Sequence, residues 1–155
     1  MTDLSIALYQ PDIPQNTGTI LRMAACLDLH VHIIEPCGFA LSDRTLKRAG
    51  MDYLERSRYT KHLSWDHFSD WVRDEHKRLV LATTKANQSF LDIPYADGDI
   101  LLFGRESVGV PDDVHARADI RMTIPMKQGE RSLNLAISTA MVATEAMRQL
   151  KAFPR

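Results

Sequence analysis

Apolar residues fall along this chain in short runs that alternate with segments of helical spacing. Leu4 to Tyr9 is a mostly apolar run ended by Gln10-Pro11, and it predicts a buried strand. Asn16 or Thr17 is expected to cap a helix running to about Leu29, with Ile20, Met23, Ala24 and Leu27 as its apolar stripe. Val31 to Ile34 predicts a second strand, stopped by Glu35-Pro36. Asp43 is placed to cap a short helix through Ala49, with Gly50 as its C-cap. Ser64 is placed to cap another, with Trp65, Phe68, Trp71 and Val72 facing inward. Leu79 to Thr84, Ile100 to Phe103 and Ile120 to Ile124 predict three further strands. A short helix begins at Pro111, and a long apolar helix runs from Leu133 to Leu150.

Strands alternating with helices predict an α/β fold, a mostly parallel sheet covered by helices on both faces. No repeat, linker or low-complexity stretch interrupts the pattern, so residues 1–155 are expected to form a single domain.

Composition narrows the class. Hydrophobic residues make up 45% and charged residues 25%, as in ordinary soluble domains. No run approaches the ~20 apolar residues of a membrane span. The start, Met1-Thr2-Asp3-Leu4, has no basic n-region, so no signal peptide is expected. Cys26 and Cys37 form neither a Cys-x-x-Cys pair nor a metal spacing, and two reduced thiols in a cytoplasmic protein are expected. A net charge of -1 excludes a protein that is basic all over. The charge is segregated, however. Asp43 to His62 carries six basic residues against three acids, and Asp66 to Glu75 offsets them. Arg44, Lys47 and Arg48 lie three and four positions apart and share one helix face.

The loops carry the candidate chemistry. Gly104-Arg105-Glu106-Ser107-Val108-Gly109 has the glycine spacing of a phosphate loop, but Val110-Pro111 follows where that loop needs Lys and Ser or Thr. This argues against a nucleoside triphosphatase, and a standard dinucleotide site lacks support because no Gly-x-Gly-x-x-Gly follows the first strand. Taken alone, the segment reads equally as a glycine-containing turn. Ser132 and Asn134 precede the last helix, where either can be its N-cap or help hold a polar ligand, with Glu130 and Arg131 at the mouth. Arg22 interrupts an otherwise apolar helix one turn after Gly18, and reads either as a solvent-facing residue or as a phosphate grip. His30 and His32 share a strand face without a third ligand at a plausible spacing. All six histidines are taken as surface or structural residues.

Three stretches then combine. Pro11-x-x-Pro14-x-Asn16-Thr17-Gly18 with Arg22, Phe103-Gly104-x-Glu106-x-x-Gly109-Val110-Pro111, and Ile124-Pro125-Met126 with Ser132-x-Asn134-Leu135 resemble the three motifs of the SPOUT ribose 2′-O-methyltransferases. Their order and spacing match over essentially the whole chain. Ile33-Ile34-Glu35-Pro36-x-Gly38-Phe39 and Leu46-x-Arg48-Ala49-Gly50-x-Asp52-Tyr53 are similar to the small bacterial members that lack appended RNA-binding domains. Arg105 and Thr144 depart from the pattern, standing where close relatives often carry Ser or Pro and Tyr.

The resemblance implies a C-terminal trefoil knot, a departure from the general rule against threaded chains. It implies S-adenosyl-L-methionine as methyl donor, held by Ala82, Gly104, Ile124 and Ser132, with Glu106 organising the loop on that side. Arg22 is implied as the main catalytic residue, with Asn16 and Asn134 positioning substrate and loop. Arginine is a poor general base near neutral pH, which favours gripping the target phosphate and polarising the 2′-hydroxyl. No metal is required. The implied substrate is the wobble nucleotide, position 34, C or modified U, of a tRNA subset that includes leucine tRNAs. Arg44, Lys47 and Arg48 would meet the phosphates of the anticodon stem-loop. The family is homodimeric, and no membrane is implied. The alternatives are a sister 2′-O-methyltransferase with another tRNA or rRNA target, a non-catalytic RNA-binding module on the same fold, and a generic nucleotide-binding α/β protein.

Overall fold

A computed structural model of the chain describes residues 2–48 and 59–155. Six strands form one sheet: β1 (Ser5–Tyr9), β2 (His30–Ile34), β3 (Tyr59–His62), β4 (Leu79–Ala82), β5 (Ile100–Phe103) and β6 (Ile120–Met122). Their order is β3-β2-β1-β5-β4-β6, and every neighbouring pair is parallel. The chain winds outward from β1 to β3, then returns to build the other half with β5 next to β1. Side chains that alternate along each strand feed two cores. Ile6, Leu8, Val31, Ile33, Val80, Leu101 and Phe103 point to one, covered by α1 (Pro14–Leu27) and α5 (Leu135–Leu150). Ala7, Tyr9, Ile34, Leu79, Leu81 and Leu102 point to the other, covered by α3 (Trp65–Asp74) and α4 (Asp112–Arg117). The remaining α-helix among the described residues, α2 (Asp43–Arg48), packs against α1. Among the described residues no helix is long and apolar enough to cross a membrane.

The α/β reading and the parallel sheet stand. Several boundaries move, each for a physical reason. Neither Asn16 nor Thr17 caps α1. The helix starts at Pro14, whose fixed φ and missing N–H suit the first turn, and Ile13 stands at the cap position without a side-chain hydrogen bond. Asp43 is the first residue of α2 rather than its cap; Ser42 Oγ accepts the Thr45 N–H instead. The expected end of that helix at Ala49-Gly50 lies outside the described residues. Asn134, not Leu133, marks the start of α5. Strands β4 and β6 stop at Ala82 and Met122, two residues earlier than expected, and this frees the residues that follow for the loops. Ser64 caps α3 as expected, accepting from the His67 N–H.

Strand β3 was not expected. Tyr59-Thr60-Lys61-His62 buries only His62, as suits a sheet edge with one solvated side. His62 joins His32 from β2 in a hydrogen bond of 3.0 Å, and both rings pack on Phe68 and Trp71 of α3. The C-terminal half of α5 is tied to the β4–β5 connection by Gln149, which donates to the Ile93 carbonyl and accepts the Tyr95 N–H.

Candidate active site

Loops leaving the C-terminal ends of β4, β5 and β6 enclose a cavity of about 580 Å³, the size of a small-molecule site. In a parallel sheet this is the rim where ligands bind. Ala82 to Lys85 form one wall, the Gly104–Val110 loop a second, and Thr123, Ile124, Met126 and Arg131 to Leu135 a third.

The second wall is held by its own backbone. Arg105 and Gly109 exchange N–H···O bonds of 3.0 and 2.9 Å, closing a tight loop. A Cβ at Gly104 would stand 2.7 Å from the Gly109 carbonyl carbon. The close approach that demands glycine at 104 is thus made by the chain itself. Gly109 turns back at φ +70°, a region costly for L side chains.

Two carboxylates fasten this loop to the start of α1. Glu106 accepts from the Asp12 N–H (2.8 Å), the Ile13 N–H (3.0 Å) and Asn16 Nδ2 (3.2 Å). Asp12 in turn accepts from Arg105 Nη2 (2.5 Å) and from the Ser107 hydroxyl (2.6 Å). Hydrogen bonding from Arg105, then from Ser107, holds the Asp12 carboxyl below its usual range. Arg105, a departure from the family pattern, therefore has a defined partner here. Nearby, burial pushes the Cys37 thiol up to about 12, aided by Glu35.

The third wall ends at Asn134. Its Oδ1 accepts from the Ala136 and Ile137 N–H groups and so caps α5. Its Nδ2 donates to Asn16 Oδ1 at 3.0 Å. A continuous polar chain therefore runs from the N-terminus of α5 through Asn134 and Asn16 to Glu106.

The fold brings seven of the sequence-predicted residues around one cavity: Asn16, Ala82, Gly104, Glu106, Ile124, Ser132 and Asn134. It does not bring Arg22 there. Arg22 is exposed on α1, on the face shared with Gln15, Thr19 and Cys26. Arg44, Lys47 and Arg48 are exposed on α2 while Leu46 anchors that helix in the core. No local sequence pattern singles out Asp12, Lys85 or His115. The first lies in Pro11-Asp12-Ile13-Pro14, where the prolines alone would make a rigid loop, and the others are ordinary polar residues until the fold places them at the rim.

Residues 3–144 match the SpoU rRNA Methylase family, and the chain belongs to that family. A protein of Beijerinckia indica subsp. indica is 52% identical over 97% of this chain and 94% of its own length; it is named tRNA (cytidine(34)-2′-O)-methyltransferase. One of Ancylobacter novellus with the same name is 49% identical over 98% and 96%. A solved structure described as giving insights into 2-OH methylation of C/U34 on tRNA superposes with a TM-score of 0.90, at 41% identity and 97% coverage of both chains. An AdoMet-bound rRNA methyltransferase from Sinorhizobium meliloti gives a TM-score of 0.85 at 27% identity, over 96% of this chain and 57% of that one.

Proposed function

We propose that the protein transfers a methyl group from S-adenosyl-L-methionine to the ribose 2′-hydroxyl of the wobble nucleotide, position 34, C or modified U, in a subset of tRNAs that includes leucine tRNAs. The observation that carries this reading is the convergence of three separated motifs on one cavity, linked through Asn16, Asn134 and Glu106. The names of the similar full-length proteins support the substrate.

The cavity suits the donor. It combines apolar walls from Phe103, Val110, Ile124 and Leu135 with hydroxyls and backbone at the strand ends. Ala82, Gly104, Ile124 and Ser132 would hold the cofactor, which brings the methyl group on an activated sulfonium. The protein then has two tasks: placing the 2′-oxygen in line and easing loss of its proton. Asn134 and Asn16 fix the substrate side of the cavity. Glu106 fixes the donor side by anchoring its loop to α1. Arg22 grips the phosphate beside the target ribose and polarises the hydroxyl.

Arg22 stands outside the cavity lining, so it reaches the ribose in a homodimer. The exposed side of α5 supports such a contact: Ile137 is 53% and Met141 37% exposed, on a helix that packs against α1. Arg44, Lys47 and Arg48 then contact the anticodon stem-loop through its phosphates. The C-terminal segment, whose β6 lies outside β4 while α5 packs on the α1 side, is read as a trefoil knot within one domain spanning residues 1–155. The protein works in the cytoplasm without a metal. Incubation with methyl-labelled S-adenosylmethionine and total tRNA tests the reading. Label in tRNA that resists alkaline cleavage at the next phosphate is the expected result, and absence of label overturns the enzymatic reading.

A further inference from the structure

Lysine and arginine side chains in the cavity wall fall into two sets. Arg105 is paired with Asp12, while Glu106, the acid of the wall, takes its donors from the start of α1. Lys85 and Arg131 also line the cavity, and both are exposed. Neither has an ion pair among the described residues. Away from the cavity, Arg73, Lys77, Arg78, Arg117 and Arg148 each have an acidic partner.

Both cations stand on fixed backbone. The loop after β4 is stitched to the loop after β6: the Thr83 N–H donates to the Met122 carbonyl at 2.9 Å, and the Thr123 N–H to the Gln88 carbonyl at 2.8 Å. The Lys85 N–H donates to Thr83 Oγ1 at 3.2 Å, which turns the chain there. Arg131 follows a turn closed by the Glu130 N–H on the Lys127 carbonyl, and it shortly precedes Asn134, the cap of α5. The two charges therefore sit on adjoining walls, and the Asn134–Asn16–Glu106 chain lies on the α1 side.

Uncompensated cations beside one cavity, on a chain of net charge -1, define an anion site. The methyl donor does not match it. S-adenosylmethionine sets a single carboxylate against an ammonium and a sulfonium, and is itself a cation. An RNA strand brings a phosphate with every nucleotide. We propose that Lys85 and Arg131 bind backbone phosphates of the RNA strand that enters the cavity, next to the target nucleotide and apart from the phosphate assigned to Arg22. This rests on the RNA-methyltransferase reading. Such contacts place a strand and carry little sequence information. Lys85 and Arg131 are positioning residues, and the transfer step does not pass through them.

Titration of an anticodon stem-loop RNA at several salt concentrations tests this, with S-adenosylhomocysteine calorimetry and thermal unfolding of the same proteins. Lys85→Gln and Arg131→Gln are each expected to bind the RNA about three- to tenfold more weakly and to lose about 0.7 from the slope of log affinity against log salt. Their S-adenosylhomocysteine affinity and unfolding temperature are expected to stay unchanged. Lys85→Arg and Arg131→Lys keep the charge and are expected to keep the slope. Lys151→Gln removes a cation at the far end of α5 and is expected to leave the slope as it is. An unchanged slope in Lys85→Gln and Arg131→Gln overturns the inference. An equal loss in Lys151→Gln makes net charge the cause, and an equal loss in Lys85→Arg and Arg131→Lys removes charge as the cause; either overturns it. A lowered unfolding temperature assigns the residues to the fold and overturns it as well. Weakened S-adenosylhomocysteine binding assigns the pair to the cofactor carboxylate, which overturns the inference and leaves the methyltransferase reading intact. No RNA binding by the unmodified protein overturns the RNA-substrate reading, and this inference with it.

Discussion

Asn134 Nδ2 donates to Asn16 Oδ1 at 3.0 Å and so joins two side chains 118 positions apart. The same Asn134 caps α5 through its Oδ1. One residue therefore fixes both the start of a core helix and the contact between the third cavity wall and α1.

Those two duties separate by substitution. Asn134→Ala removes both and is expected to lower unfolding stability by about 1–2 kcal/mol. Asn134→Asp keeps the capping oxygen and places a negative charge at a helix N-terminus, so it is expected to lose little stability. It cannot donate to Asn16. Methyl transfer by both variants is expected to fall by at least about tenfold, since the two loops lose their shared position. Urea unfolding and initial rates check the split.

Gly104→Ala places a Cβ 2.7 Å from the Gly109 carbonyl carbon and 2.8 Å from its Cα. Backbone must move, and about 1–3 kcal/mol of stability is expected to be lost. The loop between them forms a cavity wall, so S-adenosylhomocysteine binding weakens as well. Unchanged stability and binding would mean that the loop yields freely.

The edge of the sheet carries an acid sensitivity. Burial lowers the His32 pKa from 6.5 to about 3; the positive charges that His30, His62 and Lys77 can carry deepen the shift, and Asp3 opposes it. The unfolded chain takes up this proton near pH 6.5, whereas the folded chain does so only near pH 3. The contribution of neutral His32 is thus fully present above pH 6.5 and is lost as pH falls toward 3. The slope it adds is at most about 1.4 kcal/mol per pH unit. Urea midpoints between pH 7 and pH 4 are expected to fall less steeply in His32→Phe than in the unmodified protein.

Arg22→Ala is expected to abolish transfer while S-adenosylhomocysteine affinity stays unchanged, because Arg22 stands outside the cavity lining. Lys47→Glu is expected to weaken tRNA binding and to flatten its salt dependence by about one phosphate contact. Affinity measured at several salt concentrations checks the second, and an unchanged slope would place the RNA elsewhere.

Much of this structure was legible in the chain. Leu4 to Tyr9, Val31 to Ile34, Leu79 to Ala82 and Ile100 to Phe103 are near-continuous apolar runs because a parallel sheet buries both faces. Strand β3 escaped because Tyr59-Thr60-Lys61-His62 sits at an edge, with Thr60 and Lys61 exposed. The start of α1 was misplaced because Asn16 looks like a cap, yet its side chain is committed to Glu106 and Asn134. The cavity was legible because its residues follow directly on strand ends. The Arg105–Asp12 pair spans 93 positions, and His115 lies on a helix of six residues; neither carries a local signal. Arg22 is exposed on an outer face of α1, a placement that its position one turn after Gly18 does not reveal.

The most direct measurement is the position of the transferred methyl group. Purified protein, S-adenosylmethionine and tRNA lacking the modification are incubated, and 2′-O-methylated nucleotides are mapped along each tRNA. A single new 2′-O-methyl group at nucleotide 34, absent with Arg22→Ala, is the predicted result. Methylation at another position, or on a base, would contradict it.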